Sequence, residues 1–134
     1  MNRVEELDIL ALGAGVASIA VAGATTVWSK SFDVPVKRAM SLIAKIESSG
    51  TVDVEAFLEV SDTELTSGEE NLTNANYVVA QGDDAIVDAA ATGVFVGAFA
   101  PAVCKKARIK LVGAGSNHAS TVVSRLKILL AEEN

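Results

Sequence analysis

The chain has 134 residues, a mass of 13.8 kDa and a formal net charge of −6. This length predicts one domain that can bury a core, and the negative charge argues against direct binding of nucleic acid. The single cysteine, Cys104, excludes an intramolecular disulfide. With one histidine and one cysteine, the chain has no His and Cys ligand set for zinc. We expect no metal and no cofactor.

The charges are divided unevenly along the chain. Residues 1–45 carry five basic and four acidic side chains, and residues 46–104 carry eleven acidic and no basic ones. Residues 105–134 carry six basic and two acidic side chains. In one compact domain this division predicts faces of opposite sign, which suit docking or self-assembly.

The N-terminal segment contains twenty uncharged residues, 9–28. That length would span a bilayer. However, the segment lacks the positive flank of a signal peptide, and it is rich in Ala and Gly rather than Leu and Phe. We therefore expect no membrane span. Residues 1–24 are predicted to form an apolar arm or an edge strand that packs on another subunit, because an apolar arm on a small domain needs a cover.

Alternating apolar and polar residues predict strands along most of the chain. The strongest patterns lie at residues 38–46, 53–60, 105–112 and 121–130. Weaker patterns lie at residues 4–12, 25–34, 76–81 and 93–99. Turn-forming residues at 48–50 and 113–117 predict hairpin loops between the strong strands. The pattern predicts an all-β fold, an antiparallel β-sandwich or jelly roll of about eight strands, with its domain at 25–134.

The apolar sides of the strong strands are predicted to meet in one core. Its members are Met40, Leu42, Ala44, Ile46, Val54, Ala56, Leu58, Val60, Ile109, Leu111, Leu126 and Ile128.

The short motifs do not indicate a catalytic site. Gly13-Ala14-Gly15 lacks the third glycine and the following helix of a dinucleotide-binding turn. His118 is a lone histidine in a polar loop, and Cys104 is interpreted as a bystander thiol. The acidic loops lack the spacing of an EF-hand, although other calcium geometries stay open. We predict no enzymatic activity.

Trp28 and Phe32 are four residues apart and fall on the same face of a presumed strand. They suit either core packing or an aromatic platform for a sugar. A carbohydrate- or ligand-binding sandwich is therefore an alternative function.

Two charged rows are predicted on the strong strands. If the last two strands pair as a hairpin, their basic side chains share one face, where like charges need an anionic partner. The acidic row near 53–59, in this chain or in a neighbouring copy, is the expected partner. The predicted assembly interface joins these rows to the apolar arm: Ile9, Leu10, Leu12, Val16, Ile19, Val21, Arg108, Lys110, Arg125, Lys127, Asp53, Glu55 and Glu59.

Three parts of the sequence together resemble small β-sandwich virion proteins of tailed bacteriophages. They are WSKSFDV with SLIAKI at 28–46, SGTVDV at 49–54, and ARIKLVGAGSN with STVVS at 107–124. In that class, SGTVDV belongs to a hairpin, and the RIK, GSN and TVVS elements form the last hairpin.

The resemblance implies a non-enzymatic structural protein of a phage particle, with capsid decoration, also called cement, as the first interpretation. A tail or neck component is the alternative. The implied partners are copies of the chain itself and the major capsid protein or another virion protein. The implied location is the virion, assembled in the bacterial cytoplasm.

Overall fold

A computed structural model describes residues 3–10, 18–33, 40–61, 78–79, 85–99 and 106–132. These residues form eleven strands: β1 (Arg3–Asp8), β2 (Ile19–Ala20), β3 (Thr26–Trp28), β4 (Phe32–Asp33), β5 (Met40–Glu47), β6 (Val54–Ser61), β7 (Val78–Val79), β8 (Val87–Ala89), β9 (Gly93–Phe99), β10 (Lys106–Gly113) and β11 (Val122–Glu132).

The strands form two antiparallel sheets that pack face to face, which confirms the predicted β-sandwich. Sheet A has the order β1-β11-β5-β9, with β2 also beside β11. Sheet B has the order β3-β10-β6-β7, with β4 beside β10 and β8 beside β6. The described residues contain more than the expected eight strands because 25–34 divides into β3 and β4, and because the short β2 and β8 were not expected.

The four strongest patterns correspond to β5, β6, β10 and β11, and their predicted apolar sides face the core. Val60 is the exception, since it is half-buried against the core. The alternation also fails at the start of β11, where Val123 rather than Val122 is buried. The pairing register with β5 shifts between Val123 and Arg125. This β-bulge inserts one residue and so exchanges the two faces of the strand.

The two predicted hairpins are wrong. The connection at 48–53 leads from β5 in sheet A to β6 in sheet B, and the connection at 114–121 leads from β10 in sheet B back to β11 in sheet A. The paired neighbours are therefore β5 with β11 and β6 with β10. Because each connection crosses between the sheets, the strand before it and the strand after it face each other across the core with their apolar sides.

Where the structure describes residues 1–24, the segment packs on its own domain, and its packing on another subunit stays a prediction. β1 and β2 both pair with β11 of the same chain. Three apolar side chains of the segment are buried in the chain's own core: Ile9, Leu10 and Val21. Ile19 packs against this core, whereas Leu12 and Val16 lie outside the described residues. Because β1 ends the described order of sheet A, the edge-strand alternative fits the segment.

We expect the N-terminal strands to be needed for folding. Ile9→Ala should lower the free energy of unfolding by about 2–5 kcal/mol, because it leaves a cavity in a packed core. Deletion of residues 1–24 should abolish the cooperative transition in urea, followed by circular dichroism. Thr26→Ala, at an exposed position on β3, is the control and should change the free energy by less than about 0.5 kcal/mol. A truncated chain that still unfolds cooperatively would contradict this expectation and favour the arm interpretation.

Candidate functional site

Asn117 ties the two crossing connections to the N-terminal segment. Its side chain is only 6% exposed, and its Nδ2 donates to the carbonyls of Val21 at 2.7 Å and Gly23 at 3.0 Å. Its Oδ1 accepts the backbone N–H of Asp53 at 3.1 Å. A Cβ on Gly113 would collide with the carbonyl oxygen of Gly23, so glycine is required at this position. The GAGSN segment therefore has a structural role in this fold.

A hydroxyl and imidazole cluster lies beside this crossing. The Ser120 hydroxyl is 2.7 Å from His118 Nδ1, which also accepts the Ser120 backbone N–H at 3.0 Å. The same hydroxyl oxygen accepts the Ser49 backbone N–H at 3.0 Å. A catalytic base needs its nitrogen lone pair for the nucleophile's proton, and here a backbone N–H shares that lone pair. The cluster is therefore best explained as a set of hydrogen bonds that holds the two connections together.

Arg108 and Glu59 form a buried ion pair on the side of sheet B that faces away from the core. They are direct cross-strand partners, 0% and 7% exposed respectively, and Arg108 Nε donates to Glu59 Oε1 at 2.7 Å. The guanidinium carbon lies 5.0 Å from the ring centroid of Trp28, within range of a cation–π interaction. The prediction that Arg108 and Glu59 form an exposed interface is therefore wrong, although their opposite charges do meet.

The predicted cationic row does not form one face, because β10 and β11 belong to different sheets. On sheet B, Lys110 lies opposite Phe57, with its ammonium 5.8 Å from the ring centroid. On sheet A, Lys127 Nζ is 3.3 Å from Glu6 Oε2, and Arg125 is exposed.

The predicted acidic row is also divided. Glu55 lies on β6 between Val112 and Asp88 of the neighbouring strands. Asp53 precedes β6 and accepts the Ser116 hydroxyl at 2.9 Å. Asp53 therefore stabilises the crossing connections, whereas Glu55 and Glu59 share the outer face of β6.

Trp28 and Phe32 do not form an aromatic platform. Trp28 lies opposite Lys110, whereas Phe32 lies opposite Ala107, so the two rings occupy opposite faces of sheet B. Three residues separate the two aromatic residues, but only two separate their partners on β10. The additional residue acts like a bulge and turns Phe32 into the core.

A cleft of about 410 Å³ opens beside β1 of sheet A and β4 of sheet B. Leu7 and Phe32 contribute apolar surface to it. Its ionisable groups have both signs: Glu5, Asp8, Lys30, Asp33 and Lys106. Lys106 Nζ is 2.8 Å from Asp33 Oδ1, so part of this charge is paired within the chain. The sequence patterns did not indicate the cleft, because its walls come from strands of different sheets.

The outer face of β9 carries the exposed large apolar side chains of the described residues. Val94 is 53% exposed and Val96 is 63% exposed, and half-buried Ile43 lies directly beside Val96 on β5. In the described part of the chain, β9 is hydrogen-bonded on one side, to β5. Natural proteins usually protect an edge strand with charge, proline or a bulge, and residues 93–99 contain no charged residue and no proline.

No protein-family model matches the sequence, and a search of curated proteins finds no match. None of the described residues belongs to a helix that is long and apolar enough to cross a membrane. Within the same residues, no group of three or more His, Cys, Asp or Glu side chains is arranged to hold a metal ion.

We expect the Arg108–Glu59 pair to act as one unit. Arg108→Met alone should lower the free energy of unfolding by about 3–5 kcal/mol, because it leaves a buried carboxylate without its cation. Adding Glu59→Met should recover most of the loss, since replacing both partners of a buried pair by apolar residues is often neutral. Urea denaturation of the two single variants and the double variant measures the coupling. Additive losses would show that the two side chains are energetically independent.

The hydrogen bonds of Asn117 should matter more than those of its exposed neighbour. Asn117→Ala leaves two carbonyls and one N–H without their partner and should cost at least about 3 kcal/mol of unfolding free energy, at roughly 1–3 kcal/mol for each buried unsatisfied group. Ser116→Ala, which removes only the exposed bond to Asp53, should cost less than about 1 kcal/mol. Equal losses in thermal or urea unfolding would contradict the role assigned to Asn117.

Proposed function

We propose that the chain is a non-enzymatic structural protein that assembles in many copies on the particle of a tailed bacteriophage, with capsid decoration as its first role. The observation that carries the proposal is the exposed pair Val94 and Val96 on an uncharged strand at the described edge of sheet A. Such a surface is a site for association with another protein. In an assembled particle, a neighbouring protein would cover these two valine side chains.

The sequence resemblance supports the phage assignment. Its segments include most of β5 and β10, the first residues of β6 and β11, and most of the two connections that cross between the sheets. Asn117 of the GAGSN segment bonds to the backbone of Asp53, which belongs to the SGTVDV segment. The two motifs thus work together in one part of the sandwich, as motifs that define a structural class are expected to do.

The charge on the outer face of sheet A supports a partner with acidic groups. Arg125 lies directly opposite Lys45, and like charges at such positions destabilise an isolated sheet. Lys45 has Glu47 at 3.8 Å, but Arg125 is exposed. An acidic surface on the major capsid protein, or on another virion protein, would stabilise this part of the sheet.

The cleft beside β1 and β4 supports a second candidate, a ligand-binding sandwich. Its volume of about 410 Å³ is within the usual range for small-molecule sites, roughly 300–1,000 Å³. Ammonium and carboxylate groups in the lining of one cleft suit a small ligand that itself carries both charges. Chemical-shift changes confined to Lys30 and Phe32 on titration with zwitterionic or sugar ligands would favour this function.

The direct test is the composition of phage particles purified from the source of this sequence. Mass spectrometry should detect the chain in many copies per particle, and immunogold labelling should place it on the capsid. Labelling of the tail or neck would select that alternative. Particles that lack the chain, purified alongside particles whose capsid proteins are all detected, would refute the proposal.

A further inference from the structure

The β9 sequence is a palindrome. Residues 93–97 read Gly-Val-Phe-Val-Gly in both directions, with Phe95 at the centre. When a palindromic strand pairs antiparallel with a second copy of itself, a two-fold axis through its central residue places residues of the same type opposite each other. Such a strand is therefore complementary to its own copy. Here that axis would place Val94 of one copy opposite Val96 of the other.

The geometry of β9 leaves both of its faces ready for such a pair. Val94 and Val96 point away from the core and are exposed. Phe95 points towards sheet B but is only half-buried. Ile86 occupies the space beside Gly97, where a Cβ would collide with its carbonyl oxygen. The inner face of β9 is thus filled at Gly97 and retains exposed aromatic surface at Phe95.

We propose that β9 pairs antiparallel with β9 of a second copy, around a two-fold axis at Phe95, and joins two A sheets into one continuous sheet. The inference deepens the proposed function by naming the partner of the β9 edge, and it rests on that function's premise that β9 contacts another protein chain. The partner is the chain itself, because the strand's own sequence supplies the complement.

The side chains next to β9 are compatible with this arrangement. Val94 is flanked by Lys45 and Val96 by Ile43 on β5. Each row across the joined sheet therefore reads Lys45, Val94, then Val96 and Ile43 of the second copy. The two Lys45 side chains are separated by three strand spacings and by two residues along the strand, about 16 Å, which is beyond the screening length of about 8–10 Å at physiological salt. Charge repulsion therefore does not oppose the pairing.

The register is specified by the valines. The axis at Phe95 makes two Val–Val cross-strand pairs on the outer face and one Phe–Phe pair on the inner face. Shifting the axis to Val96 would place Val94 opposite Ala98 and Phe95 opposite Gly97, with less apolar contact. Cross-strand pairs of β-branched and aromatic residues stabilise a sheet more than pairs with small residues.

The association is tested by analytical ultracentrifugation of the full chain over a hundredfold range of concentration. We expect a monomer–dimer equilibrium. Val96→Lys should raise the dimer dissociation constant at least about tenfold, since one tenfold step corresponds to only about 1.4 kcal/mol. Thr26→Lys is the matched control, because it adds the same charge at an exposed position on β3 of sheet B. It should leave the dissociation constant within about twofold.

The register is tested by cysteine crosslinking in a Cys104→Ser background, which removes the chain's own thiol. Val94→Cys and Val96→Cys proteins, carrying tags of different size, should form a disulfide when mixed but not when oxidised separately, because these positions face each other only across the axis. Phe95→Cys should crosslink alone. Circular dichroism checks that each variant is folded.

Three outcomes would overturn the inference: a monomer at every concentration, a dimer that Val96→Lys leaves unchanged, or crosslinks between identical Val96→Cys chains. These outcomes are separable from failure of the proposed function. A β9 dimer made by a chain that is absent from phage particles supports the inference and refutes the phage role. Particles that carry the chain, when the purified chain is a monomer at every concentration, support the phage role and refute the dimer.

Discussion

The fold depends on the two connections that cross between the sheets. Because 48–53 and 114–121 both cross, β5 and β6 lie in opposite sheets, as do β10 and β11. Their apolar faces meet in the centre and bury Leu42, Ile109, Leu126 and their neighbours. The crossing point is held by directional bonds from Asn117 as well as by hydrophobic contact. A sandwich assembled in this way has a low proportion of local contacts, and such topologies fold slowly.

The charges of this chain serve two different purposes. The Arg108–Glu59 pair is removed from solvent and is packed against Trp28. A buried pair is weak evidence for net stability, but its directional bond opposes any slip between β6 and β10, since a shift of one residue would separate the two groups. Arg125 and the other exposed charged side chains on the outer face of sheet A are accessible to a partner. Only this second group bears on assembly.

The exposed surface also divides into two regions with different chemistry. The outer face of β9 is apolar and uncharged, whereas the cleft beside β1 and β4 has ammonium and carboxylate groups of both signs. The first suits a flat protein surface and the second suits a small charged ligand. The two functions proposed for the chain therefore use separate surfaces and do not exclude each other physically.

The sequence by itself determined the fold class and the inner side of each long strand. An alternation with a period of two residues reports directly which side chains avoid water, and it correctly placed Met40, Leu58 and Ile128 in the core. The sequence also predicted that the basic row would face the acidic row, and Arg108 does contact Glu59. The palindrome at β9 was equally readable, but its importance depends on the edge position of that strand.

Only the tertiary structure decided which strands are neighbours. A loop such as 48–50 has the same turn-forming residues whether the next strand pairs in the same sheet or crosses to the other, so its composition does not distinguish the two. The bulge at Ser124 and the extra residue between Trp28 and Phe32 likewise exchange faces without any change in the local pattern. These choices moved Arg108, Ile9 and Val21 from the predicted interface into buried positions, because burial is fixed by contacts between distant segments of the chain.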